Sequence, residues 1–180
     1  EPRDIVRFTP SSLGAMTTGT WTFMFDGSDV GLTQAAESID ALAVLPDGSI
    51  LLSTIGSFAV PGVSGTAHDI VRFVPTTQGA ATTGTWSMYF DGSDVGLSLT
   101  AENVDALAVL ADGTLLVSTT GNFAVPGLSG ANEDVIRFTP GSLGGVTTGT
   151  WSLYFDGSAV GFSDDVRALE NCRRLVKPGG

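Results

Sequence analysis

Cysteine, histidine and lysine each occur once in these 180 residues, as Cys172, His68 and Lys177. A lone cysteine excludes an internal disulfide framework and any multi-cysteine zinc site. Positive charge is scarce: eight Lys and Arg stand against nineteen Asp and Glu, for a net charge of -11. A chain without a basic cluster lacks the footprint that nucleic acid or an anionic membrane surface requires. No apolar run approaches the roughly 20 residues that span a bilayer, so membrane insertion is not expected. No charged-then-apolar leader and no initiator methionine open the chain at Glu1-Pro2-Arg3, which reads as a mature product or a fragment. What is present is a chain rich in Gly, Thr and Val with 42% hydrophobic residues, a composition suited to an all-β fold with a packed core.

Self-comparison shows an internal repeat. Trp21, Trp86 and Trp151 recur 65 residues apart, as do Asp26, Asp91 and Asp156, and Arg7, Arg72 and Arg137. The first unit runs over residues 4–68, the second over 69–133, and a partial third over 134–169, followed by a divergent tail over 170–180. About two thirds of the aligned positions are identical between the first two copies. Such amplification indicates units that bury their apolar surface against one another.

Within a unit the hydrophobic period is two. Trp21, Phe23 and Phe25 alternate with polar or smaller residues, as do Trp86, Met88 and Phe90, which predicts strands with one packed face and an inter-repeat aromatic core. Asp40 to Leu45, then Pro46-Asp47-Gly48, then Ser49 to Thr54 reads as strand, tight turn, strand, and Ala111-Asp112-Gly113 repeats the turn. Asp69 to Val74 is a further strand, ended by Pro75. Each unit therefore holds four short strands in the order DALAVL, ILLST, DIVRF, TWxxxF, the pattern of an antiparallel propeller blade. The unit exceeds the common propeller repeats in length. Its surplus lies in two connections, 26–39 and 56–67, expected to be rim loops.

The hairpin with a central Asp-Gly, as in DALAVLPDGSILLST, resembles blades of NHL and gluconolactonase-type β-propellers. The longer string GTWSMYFDGSDVGL…ENVDALAVLADGTLLVSTTGNFAVPGLSGANEDVIRF is similar to an uncharacterised repeat of large secreted or surface proteins of bacteria. That resemblance covers nearly the whole chain and implies an extracellular or cell-surface β-repeat region without naming a reaction. The third copy departs from the pattern, with Ala159 in place of the Asp of GSDVG and Arg167 in place of the Asp of VDAL.

Strand counting gives about three blades per chain, whereas propellers close with four to eight. Two chains would then complete a six-bladed ring, or a contact that does not close would propagate into a filament. A piece of a larger propeller, a β-solenoid and an open layered sheet satisfy the same pattern. The tail, with Cys172, Arg173, Arg174 and Lys177, is suited to docking on a neighbouring copy or to standing free in solvent.

The oxygen-rich segment FDGSDVGL and the connection after it make Asp26, Asp29, Glu37 and Asp40, with their copies Asp91, Asp94, Glu102 and Asp105, candidate calcium ligands. The spacing fits no established calcium loop, and Asx-type turns account for the same residues. Catalysis is not expected. His68 is replaced by Glu133 in the next copy, and a near-identical acidic pair in every unit argues for scaffold or multivalent contact. Arg7, Arg72 and Arg137 are expected to pair with the acidic loops. The sequence is compatible with three functions: a non-enzymatic extracellular structural repeat that assembles with copies of itself or belongs to a larger surface protein; a carbohydrate- or protein-binding module using the loops 58–62 and 123–127; and a lactonase-like hydrolase with a channel metal at Glu37 and Asp40.

Overall fold

A computed structural model describes residues 1–167; the expectations for Leu169, Cys172 and the tail 170–180 lie outside the described residues. The described chain is all-β, with fourteen strands and short 3-10 turns between them. Strands β1 (Ile5–Ser12) and β2 (Thr18–Phe25) form a hairpin. β3 (Ile39–Val44) and β4 (Ile50–Thr54) come next, then a small hairpin of β5 (Phe58–Val60) and β6 (Val63–Gly65), then β7 (Ile70–Thr77) and β8 (Thr83–Phe90). The next unit repeats the series as β9 (Val104–Val109), β10 (Leu115–Thr119), β11 (Phe123–Val125), β12 (Leu128–Gly130), β13 (Val135–Ser142) and β14 (Thr148–Phe155). Two four-stranded antiparallel meanders result, β3-β4-β7-β8 and β9-β10-β13-β14, while β1-β2 is the outer pair of the same pattern.

The strand order read from the sequence is therefore the order in the sheets, and the local chemistry explains it. The Asp-Gly turn closes β3 onto β4 through a Gly48 N–H donated to Leu45 O at 2.9 Å, with Gly48 at φ 83°. Asp47 accepts from the Ser49 N–H and hydroxyl at 3.0 and 2.7 Å. Arg72 on β7 reaches back to Asp47, and Arg137 to Asp112 at 2.6 Å. Arg72 and Arg137 thus pair with the hairpin-turn aspartates rather than with the FDGSD loops, because β7 and β13 lie beside β4 and β10 in the sheet, while Arg7 makes no ion pair among the described residues.

Both faces of the first meander are covered. On one side of β3-β4-β7-β8, Ile50, Leu52, Val71 and Phe73 pack with Phe25, Val30 and Leu32 of the first unit. On the other, Leu51 and Ile70 pack with Leu107, Leu115, Val117, Ile136 and Phe138 of the next sheet. A β-bulge makes this two-sided packing possible. Ile70 stands opposite Phe90 and Val71 opposite Met88, leaving Tyr89 as an extra residue. The bulge reverses the alternation, so Trp86 and Met88 face the preceding unit while Phe90 enters the following core. The hairpin β5-β6 turns Phe58 and Val60 inward, at 2% and 6% exposure. The expected apolar binding loops at 58–62 and 123–127 are instead core hairpins, since their alternating residues reach the sheet.

Successive units are joined by a four-bond clasp. Trp86 Nε1–H donates to Val30 O at 2.9 Å, the Thr82 N–H to Asp29 Oδ2 at 2.8 Å, the Asp26 N–H to Thr82 Oγ1 at 2.9 Å, and the Gly79 N–H to Met24 O at 3.0 Å. Trp151, Thr147 and Gly144 repeat all four bonds onto Val95, Asp94, Asp91 and Tyr89. Phe25, Phe73 and Trp86 pack as an aromatic trio across the junction, with centroids 4.7 to 6.1 Å apart. Removing the buried Thr82 hydroxyl and its branch of the clasp should be costly, because it leaves the half-buried Asp26 N–H unpaired. We expect Thr82→Val to lower the unfolding free energy by about 1–3 kcal/mol. Thr17→Val, at the same repeat position but exposed, should cost markedly less in the same denaturant titration.

Candidate functional site

The FDGSDVGL segment forms a 3-10 turn, Ser28–Val30, that ends at Gly31 with φ 104°, a conformation open chiefly to glycine. Gly27 has an ordinary backbone, φ -68°, and is needed for a different reason: a Cβ there would lie 2.3 Å from Arg3 O. The turn thus presses onto the loop before β1. Asp4, Asp69 and Asp134 hold it there, each accepting from the turn glycine at 2.9 to 3.2 Å.

The eight candidate calcium ligands divide by position. Asp26 Oδ1 accepts from the Ser28 N–H and hydroxyl, and Asp91 repeats this with Ser93. The Ser28 hydroxyl, first among the causes, holds the Asp26 carboxyl below its usual range. Asp29 and Asp94 are committed to the clasp with the next unit. Glu37 is 3% exposed; its Oε2 accepts from the Thr33 and Gln34 N–H groups at 2.6 and 2.7 Å and its Oε1 from the Ala59 N–H at 3.0 Å. Glu102 does the same for Ser98, Leu99 and Ala124. Burial pushes these two carboxyls up, and the three N–H donors outweigh it, leaving both below their usual range. Among the described residues no three acidic, histidine or cysteine side chains converge to hold a metal ion.

Asp40 and Asp105 behave differently. They lie on β3 and β9, the first strands of neighbouring sheets, and a third crossing comes up beside them. The Val166 N–H donates to Asn132 O at 3.1 Å, the same bond that Val104 makes to Ala67 and Ile39 to Pro2. Arg167 therefore occupies the position of Asp40 and Asp105. It does so because the third connection is shorter, five residues from Gly161 to Val166 against eight from Gly96 to Val104. The shortened segment has no counterpart of Glu37 and delivers Asp165 into the cluster.

Asp105 is 1% exposed and neither carboxyl oxygen has a hydrogen-bond partner among the described residues; Asp165 Oδ1 is buried in the same condition. Asp165 Oδ2 accepts from Arg167 Nε at 2.7 Å. Burial, the facing Asp165 carboxyl and the charge of Asp40 push Asp105 up to about 8. Asp40 is also raised, by burial first, with Arg167 opposing and Asp165 adding to it. Raised this far, the Asp105 carboxyl keeps its proton at neutral pH and so has a donor to turn towards the buried Asp165 Oδ1.

His68 is half-buried, with Nδ1 lacking a partner among the described residues. Compared with known proteins, the chain matches no family model, no curated protein and no solved structure. Among the described residues no helix is long and apolar enough to cross a membrane.

The carboxyl pair makes a signed prediction. A folded-state value for Asp105 above its ordinary 3.8 means that the fold binds this proton more tightly than the unfolded chain does. Stability from this group is full below about pH 4, falls as pH rises towards about 8, and is level beyond. The depressed Glu37, Glu102 and Asp26 carboxyls act oppositely, losing their contribution as pH falls through their own lowered values. Thermal midpoints should therefore peak in mildly acidic buffer. Asp105→Asn should flatten the decline between pH 5 and 8 by a few kcal/mol, and an unchanged slope would place the proton elsewhere.

Proposed function

We propose that this chain is a non-enzymatic structural repeat of the extracellular or cell-surface kind, propeller-like in architecture, that assembles with further copies of its own repeat. The observation that carries the reading is the use to which its conspicuous side chains are put. Asp29, Asp94, Trp86 and Trp151 join units to one another, while Glu37, Glu102, Asp69 and Asp134 secure backbone N–H groups. A catalytic centre needs different groups from different units converging on one substrate. Here the same groups recur in the same structural employment. Four-stranded meanders stacked face to face, with a core between each pair, support the propeller-like reading.

A binding reading has one observation in its favour. The junction of the first two units leaves a shallow groove lined by Asp29, Val30, Pro61, Thr83, Thr85 and Trp86. An indole edge beside hydroxyls and a carboxylate is the chemistry that takes a sugar ring. Glycan-array screening and melting with and without EDTA decide between the readings. The structural reading predicts no glycan retained and an unchanged midpoint. A glycan whose binding is lost in Trp86→Ala would establish the binding module instead, and a midpoint lowered by EDTA would establish a metal at the acidic turns.

A further inference from the structure

The two ends of the described array expose the two halves of the junction that the chain builds twice within itself. At one end the β1-β2 hairpin presents Trp21 at 68% exposure, with Phe23 at 41% and Val6 at 51%. The equivalent Trp86 and Trp151 are half-buried under the preceding unit. Thr17 is exposed where Thr82 and Thr147 are 1% and 2% exposed. At the other end Val160 is 68% exposed, against 8% and 7% for Val30 and Val95. Phe155 is 38% exposed where Phe25 and Phe90 are fully buried, and Phe162 is 40% exposed where Leu32 and Leu97 are fully buried. The residues are of the same kind at the same repeat positions, and only the neighbouring unit is missing.

We propose that a second copy of this chain docks head to tail, seating its Gly157–Phe162 turn on the Phe8–Trp21 face in the register of the internal junctions. This rests on the structural reading of the chain as a self-assembling repeat and names the partner of its assembly. The register is set by the clasp. Trp21 Nε1–H donates to Val160 O, the Asp156 N–H to Thr17 Oγ1, and the Gly14 N–H to Tyr154 O. The Phe8–Trp21 pair, already stacked with centroids 4.8 Å apart, receives Phe155 as Phe73 and Trp86 receive Phe25.

The fourth bond is missing. Where Asp29 and Asp94 accept the Thr82 and Thr147 N–H groups, the third copy has Ala159, so the Thr17 N–H finds no acceptor. The joint between chains is consequently weaker than the joints within a chain, a graded arrangement in which whole chains associate reversibly. A head-to-tail contact of this kind closes into a ring or propagates, according to the rotation it imposes.

Sedimentation velocity from micromolar to sub-millimolar protein tests this directly. The wild-type mass should rise with concentration. Trp21→Ala and Val160→Arg, both at exposed positions, should stay monomeric with melting curves like the wild type. Each spoils a different face, so mixing the two should restore association but stop it at the heterodimer. Ala159→Asp should tighten self-association about tenfold by supplying the missing acceptor. A wild type and an Ala159→Asp variant that both remain monomeric throughout would overturn the docking, as would a mixture that stays monomeric. Either result leaves the structural reading to be decided by the glycan and EDTA experiments.

Discussion

The clasp between one unit's Ser28–Val30 turn and the next unit's β8 strand is the constraint on which the rest of the structure depends. A four-stranded meander of this size has two apolar faces and no way to bury either alone. The clasp fixes the spacing at which neighbouring faces meet. Its donors are specific where the apolar contact is not, so Trp86 and Thr82 set the register while Phe25, Phe73 and Leu52 supply the burial. The bulge at Tyr89 matters for the same reason, since it lets one strand offer Trp86 to the unit behind and Phe90 to the unit ahead.

The acidic surplus is largely a way of finishing backbone turns. Each unit has long connections whose N–H groups point inward and need acceptors that no strand provides. Glu37, Glu102, Asp69 and Asp134 supply them by accepting from those N–H groups. The inner cluster runs against this pattern. There the shortened third connection brings Asp165 against Asp105, whose carboxyl is pushed up by burial, while Arg167 pairs with Asp165.

Strand identity and sheet order were legible in the sequence because they rest on local chemistry, period-two alternation and the Asp47-Gly48 turn; Pro75, expected to end its strand, does not, since β7 runs on to Thr77 and pairs on past a register shift. The unit of 65 residues was legible because its Trp, Asp and Arg series keep step. Other features depend on through-space contacts that spacing does not encode. Nothing local marks Tyr89 as the bulge or Gly27 as a point of close approach. The hairpin at Phe58–Val60 has the look of an exposed apolar loop until its side chains are placed in the core. Oxygen-rich turns read alike whether they serve a cation or a backbone N–H, which is why Asp29 and Glu37 suggest calcium in the sequence and hold peptide groups in the structure. The match of Arg167 to the Asp of VDAL is legible in the sequence although the connection before it is three residues short, but its place beside Asp40 and Asp105 rests on the Val166 to Asn132 bond.

The central claim, that one junction is built twice within the chain and that its two halves are exposed at either end of the described array, is tested most directly by hydrogen exchange at the three indoles. In dilute protein two tryptophan Nε1–H resonances should be strongly protected, those of Trp86 and Trp151 bonded to Val30 and Val95. The third, from Trp21, should exchange rapidly. Equal protection of all three in a monomer, or free exchange at Trp86 and Trp151, would contradict the account.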